Sequence, residues 1–231
     1  MATADRRQRH RASLRREILN AASRLFVEEG YRRVTMRRIA QLIEYSPTTI
    51  YLHFRDKNEL LTAVCEETFA QLAASLERLQ KTAGTPLGHL REGLRTYVEF
   101  GLANPSEYVV TFLRPHPGDG GAEVGGASAG GAAGPKPAAS DALEMLRLGV
   151  RACVDNGDIR TADVDMTTQA LWASVHGLTA LLITTKGVPF VSRPALVDHT
   201  IDTLIAGLKA PAAAPARTPA PAKSKKWEFF D

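Results

Sequence analysis

An all-α fold, with a small N-terminal helical unit and a larger helical body behind it, is predicted for this 231-residue chain by three observations. Apolar residues recur at three- and four-residue steps in almost every segment, and helix-start residues and glycine stops punctuate those segments. Nothing alternates with period two for long enough to build a sheet, residues 108–113 being the nearest contender.

The elements follow in order. Residues 1–11 read as a flexible basic arm. Leu14, Ile18, Ala22, Leu25 and Phe26 then keep to one helical stripe, with Ser13 as the expected N-cap and Gly30 as the stop. A second helix starts at the cap Thr35, turns Met36, Ile39, Ala40 and Ile43 inward, and ends near Ile43. Ser46-Pro47 starts a third, expected over 47–53, because serine caps exposed amides and proline at the first helical position gives up an N–H that had no partner. A long fourth helix is expected over 57–81.

Beyond Gly84 the segments stay amphipathic but lose most of their cations. Residues 86–103 carry Leu87, Leu90, Leu94, Tyr97, Val98 and Leu102, and Asn104-Pro105 starts a short helix through Phe112. Within the stretch 115–140, residues 118–140 hold 8 glycines and 7 alanines, which marks a flexible loop without core-forming capacity. Asp141 is the expected cap of a helix ending at Asn156-Gly157; an apolar helix over 163–185 and a last one from Ser192-Arg193-Pro194 to about Leu208 follow. Residues 210–231 open with 7 alanines and 4 prolines in 13 positions and end in KSKKWEFFD, which reads as a disordered tail.

Charge divides the chain. Residues 1–57 hold 13 Lys and Arg against 6 Asp and Glu, a net +7, which leaves −3 on the rest. A basic first quarter on a mildly acidic body suggests that the first quarter faces a polyanion. No apolar run of membrane-spanning length occurs and no apolar segment follows the arginine-rich start, so a cytoplasmic location without membrane contact is expected. Cys65 and Cys153 sit in apolar helical surroundings without ligand spacing and read as small buried residues; no metal or cofactor is expected.

The stretch YSPTTIYLHFRDKNEL, residues 45–60, completes a pattern of helix, turn of about three residues, and short donor-rich helix: a helix-turn-helix over 35–54, whose second helix enters the DNA major groove. Ile39, Ile43, Ile50 and Phe54 are its apolar anchors, and Ala40 permits a close helix crossing. Thr48 and Thr49, behind the Ser46 cap, face base edges in that geometry; threonine donates, accepts, and offers a methyl to thymine. Tyr51 and His53 suit phosphate oxygens, as do Thr35, Arg37, Arg38 and Lys57, and Ser46 completes the candidate DNA contacts. Leu52 reads as packing.

The order Ile18, Ala21, Leu25, Phe26, Gly30, Tyr31, Thr35, Ile39, Ala40, Ser46-Pro47, Ile50-Tyr51-x-His53-Phe54 and Lys57-x-x-Leu60 resembles the DNA-binding domain of TetR-type transcriptional regulators, over residues 12–72. Leu52 departs from it, since many members carry a second aromatic there. The resemblance implies a homodimer on a palindromic double-stranded operator, most commonly a repressor released by a small-molecule effector. It places base contacts near Thr48 and Thr49, and phosphate contacts on Thr35, Tyr51, His53 and Lys57. The C-terminal domain, 84–209, would dimerise and bind the effector. Its Trp172-x-x-x-His176-Gly177 is similar to the W-H-G signature of one class of such domains, and Gly177 in mid-helix suggests a close backbone approach. Tyr97, Phe100, Tyr108, Phe112, Met145, Trp172 and His176 are the candidate effector contacts, and most of them also read as ordinary core.

Two other classes stay open on the residues alone. The tail KSKKWEFFD suits an interaction module. An enzyme has less support: Ser174 and His176 lie two apart on a helix and diverge by about 200°, no glycine loop precedes Lys-Ser/Thr, and His116, His176 and His199 have no second histidine or cysteine one helical turn away.

Overall fold

A computed structural model describes residues 2–113 and 137–209. Most of the 115–140 loop and all of the 210–231 tail lie outside the described residues. Among the described residues are nine α-helices: α1 Ala2–Glu28, α2 Met36–Leu42, α3 Pro47–Tyr51, α4 Lys57–Gln80, α5 Pro86–Ala103, α6 Pro105–Tyr108, α7 Pro137–Asp155, α8 Val164–Thr184 and α9 Arg193–Leu208. A π-helical turn, Val109–Leu113, continues α6. No strand forms among them; one isolated antiparallel bridge joins Ile159 to Lys209.

Two expectations about helix starts are corrected. The arm 1–11 is not a separate flexible segment, because α1 runs unbroken from Ala2 and carries Ser13 in its interior. Neither glycine nor proline interrupts residues 2–28, and Ala, Arg, Gln, Glu and Leu are strong helix formers, so a residue that prefers a cap has nothing to cap. Likewise α7 starts at Pro137 and passes through Asp141; proline is tolerated in a first turn. The helix expected through Phe112 is four α-helical residues that widen into the π-turn.

Two apolar cores organise the chain. The first gathers Ile18, Leu25 and Phe26 of α1, Ile39 of α2, Ile50 of α3, Phe54, and Leu60 to Cys65 on α4, and it also takes in Val110 from the π-turn. The second holds Leu72 on the far half of α4 together with Leu94, Val98, Tyr108, Val150, Leu171, Val175 and Ile201. α4 thus lies in both; α5 and α7 pack against it, and α8 and α9 pack on α5 and on each other. Cys65 and Cys153 are buried, and burial raises the Cys153 thiol to about 11, so it stays protonated near neutral pH.

Within one protomer the close approach is made at Gly101 and not at Gly177. A Cβ at Gly177 meets nothing within 4 Å, whereas one at Gly101 on α5 collides with the Thr179 methyl of α8 and stands 2.9 Å from the Tyr108 ring. The small residue is required where α5, α6 and α8 converge.

The end of α2 fixes the entry into α3. Tyr45 N–H donates to the Ala40 carbonyl at 3.0 Å and Glu44 N–H to that of Gln41 at 3.3 Å, a Schellman closure that needs a left-handed residue between them. That residue is Glu44, with φ 59°. The equivalent closure after α7 uses Gly157, with φ 78°. A side chain at such a position costs about 1–2 kcal/mol, partly offset by the flexibility that glycine adds to the unfolded chain. Glu44→Gly is therefore expected to stabilise the fold by roughly 1 kcal/mol, read as a higher urea midpoint at unchanged m-value; an equal or lower midpoint counts against strain at this turn.

Candidate nucleic-acid interface

Three capped helix starts position the site. The Thr35 hydroxyl accepts from Arg38 N–H at 3.1 Å, the Ser46 hydroxyl from Thr49 N–H at 3.2 Å, and the Asp56 carboxylate from Glu59 N–H at 2.8 Å. Each satisfies an amide with no partner inside its helix. With both ends of the turn fixed, Ile50 and Phe54, at 0% and 2% exposure, hold the five-residue α3 against α1 and α4.

What α3 turns outward is a row at i, i+3 and i+4: Thr48 is exposed, Tyr51 is 55% exposed and Leu52 is 72% exposed. The reading of Leu52 as packing is corrected. At the end of so short a helix no neighbouring element reaches over it, and its isobutyl group stands beside the two polar members of the row. Thr49 is half-buried and its hydroxyl shares a 2.9 Å hydrogen bond with that of Ser46, so Thr48 is the freer of the two threonines.

The cations separate in the same way. Arg37 is exposed, and its side chain has no ion pair among the described residues. Arg38, its neighbour, pairs with Glu29 at 2.9 Å and ties α2 to the end of α1. Lys57 has turned inward: its ammonium donates to the carbonyls of Tyr31 at 2.6 Å, Val34 at 2.9 Å and Arg32 at 3.4 Å and sits 4.2 Å from the centre of the Tyr31 ring. The Tyr31 hydroxyl in turn donates to Asn58. Lys57 thus closes the turn after α1, where several carbonyls lack helical partners. Burial lowers its pKa. His53 is half-buried; burial, then the charges of Arg11 and Arg15, lower its pKa from the ordinary value.

Residues 18–64 match the bacterial regulatory proteins of the tetR family, and residues 90–204 match a tetracyclin repressor-like C-terminal domain. The chain belongs to the TetR family. An HTH-type transcriptional repressor of Mycobacterium tuberculosis is 44% identical over 69 residues, 30% of this chain and 37% of that protein. The repressor AcnR of Corynebacterium diphtheriae is 41% identical over 59 residues, 26% of this chain and 31% of that protein. The chain thus spans about a third of the length of the curated relatives it matches. Whole-chain likeness is structural. The TetR-family regulator PfmR of Thermus thermophilus superimposes with a TM-score of 0.64 at 20% identity, covering 84% of this chain and 99% of that one. AibR, in complex with isovaleryl coenzyme A and operator DNA, gives 0.62 at 20% identity, covering 83% and 97%. These share the fold.

Within the region matched by the C-terminal domain family, residues 90–204 of this TetR-family chain, five of the seven candidate effector contacts come together. Tyr97, Tyr108, Phe112, Trp172 and His176 form linked ring contacts with centroids 4.8–6.2 Å apart. Phe69 on α4, which no motif or spacing in the sequence singles out, meets Phe112 edge-on at 5.0 Å. Phe100 packs at the margin of the same core and Met145 lies half-buried on α7, outside these ring contacts. Trp172 Nε1–H donates to the Tyr97 oxygen at 3.3 Å, the two tyrosine hydroxyls are 3.1 Å apart, and Tyr108 reaches His176 Nδ1 at 2.6 Å. One proton order satisfies all four groups: Trp172 to Tyr97, Tyr97 to Tyr108, and Tyr108 to an unprotonated Nδ1. A proton on Nδ1 breaks that order, and burial already lowers the pKa of His176.

Three outcomes follow from this geometry. Lys57→Met is expected to cost about 2 kcal/mol of stability by leaving three carbonyls without their charged donor. Arg37→Ala should stay within about 0.5 kcal/mol of wild type in the same urea titration. For His176, a folded pKa below the unfolded value of about 6.5 means that the unfolded chain takes the proton first, so its contribution to stability is lost as pH falls below about 6.5. His176→Gln should flatten stability against pH between 7 and 5.5, leaving the part owed to His53; an unchanged slope removes His176 from the balance.

Proposed function

We propose that the chain is a homodimeric, sequence-specific DNA-binding transcriptional regulator, acting as a repressor that a small molecule releases. The observation that carries the reading is the outward row Thr48, Tyr51 and Leu52 on a short, doubly capped helix, set in the net-positive quarter of the chain. Thr48 and Leu52 offer a hydroxyl and an apolar surface to base edges and thymine methyls, Thr49 supports them, and Tyr51 and Arg37 suit phosphates. The named relatives are transcriptional repressors, which supports the direction of regulation. No helix among the described residues is long and apolar enough to cross a membrane, in keeping with a cytoplasmic DNA-binding protein.

Dimerisation through α8 and α9 is supported by a face of α8 that has no cover in one protomer: Gly177 looks onto open space and Leu181 is 52% exposed. Release would start at the aromatic network. α4 belongs to both cores, and α6 joins them a second time, since the buried Ser23 hydroxyl of α1 donates to Glu107 at 2.6 Å next to Tyr108. An effector that displaces Tyr108 would move α6 and α4 together and change the separation of the two α3 helices, whose half-sites lie about one DNA turn apart.

Selection of bound duplexes from a random pool with the purified full chain tests the reading. A palindromic site is the expected product, and a pool with no enriched sequence overturns it. On the enriched site, Thr48→Ala and Leu52→Ala should narrow the preference for operator over random duplex by about 1–3 kcal/mol. Arg37→Ala should weaken both alike and lower the salt slope by about 0.9. Equal losses on both duplexes for all three variants reject the division of roles.

A further inference from the structure

We propose that the N-terminal half of α1 is a second DNA-phosphate site, in which Arg11 and Arg15, with Arg7 one turn further out, grip the strand that passes the end of α3. The inference rests on the operator-binding reading and adds a contact outside the helix-turn-helix.

Its basis is that α1 is one continuous helix from Ala2. Arg7, Arg11 and Arg15 stand four residues apart and therefore form one stripe, stepping about 6 Å along the axis each time. The stripe is anchored at its inner end, where the Arg15 guanidinium carbon lies 5.0 Å from the centre of the Phe54 ring. Phe54 is buried and follows His53 directly at the end of the α3 segment, so Arg15 is held beside the surface that α3 presents. Arg11 and Arg15 are both near enough to His53 for their charges to depress its titration.

Neither Arg7, Arg11 nor Arg15 forms an ion pair among the described residues. Other arginines of the chain do: Arg38 has Glu29, Arg91 has Asp202, and Arg147 has Glu144. The fold therefore gathers the Arg11 and Arg15 guanidiniums near the His53 imidazole with no ion pair to either guanidinium among the described residues, an arrangement in which like charges repel until an anion enters. Arginine forks match phosphate oxygens in two-pronged hydrogen bonds, and a helix presents them already ordered, without the entropy cost of fixing a flexible arm. The ligand class with repeated phosphates that this quarter of the molecule already faces is duplex DNA.

Fluorescence anisotropy of the full chain, on a 40-base-pair duplex carrying the selected site and on a random duplex of equal length, between about 50 and 200 mM salt, separates the possibilities. Combined Arg11→Gln and Arg15→Gln should lower the slope of log K against log salt by about 1.8 per protomer. Across that fourfold rise in salt the variant then loses about tenfold less affinity than wild type for each protomer bound, on the order of a hundredfold for the dimer, while its ratio of operator to random affinity is unchanged. Lysine at both positions should restore the slope. Should losing the Arg15 stack on Phe54 impair folding, Arg7→Gln and Arg11→Gln, both exposed positions, should each still remove about 0.9. A wild-type slope in these folded variants overturns the second site while a preserved operator preference leaves the main reading intact; wild-type protein that prefers no sequence overturns the main reading instead.

Discussion

A five-residue helix cannot hold itself. Helix nucleation is unfavourable and even segments twice that length are marginal in water, so α3 exists because Ile50 and Phe54 are buried, because Ser46 takes up the Thr49 amide, and because the amides of Leu52, His53 and Phe54 close back onto the Thr48 and Ile50 carbonyls. Every residue of the exposed row inherits its position from those two side chains. The same burial explains why Arg15 is fixed near α3, and why Lys57 matters although its ammonium points inward. It closes the turn from which α2 starts, and α2 sets the angle at which the chain enters α3.

Much of this is legible in the sequence, and the successes and misses divide along physical lines. Helix starts are readable from residue type, and Thr35 and Ser46 accept the bond expected of them, while Asn104 and Ser192 begin helices without a side-chain cap bond. Ser13 and Asp141 fail as caps because a cap acts only where a helix has another reason to stop. The inward apolar set of the first domain is readable from spacing. The destination of a long charged side chain is not: nothing in Lys57-Asn58-Glu59-Leu60 says that three carbonyls from a turn 23 to 26 residues earlier will be within reach of the ammonium. Leu52 misleads because apolar character alone does not say which face of a helix end is covered.

Contacts that join distant segments escape for the same reason. Ser23 and Glu107 are 84 residues apart, and the serine reads as an ordinary polar interruption of an apolar stripe. Yet its burial and partner make α6 a second tether between the two cores beside α4. Gly177 attracts notice through its neighbours Trp172 and His176, while Gly101, which stands among ordinary helix residues, is the glycine that the packing of this chain requires.

The proton order of the aromatic network gives the C-terminal domain a sense of direction. Trp172 can only donate, Nδ1 accepts when the His176 proton is on Nε2, and both tyrosine hydroxyls reach that nitrogen, Tyr108 at 2.6 Å and Tyr97 at 3.1 Å. Of the two tyrosines, Tyr97 also takes the indole N–H, while Tyr108 lies in α6, beside the link to α1. Under the proposed effector role, a guest that competes for the Tyr108 hydroxyl would pull on that link, and one that competes for the indole N–H alone would not.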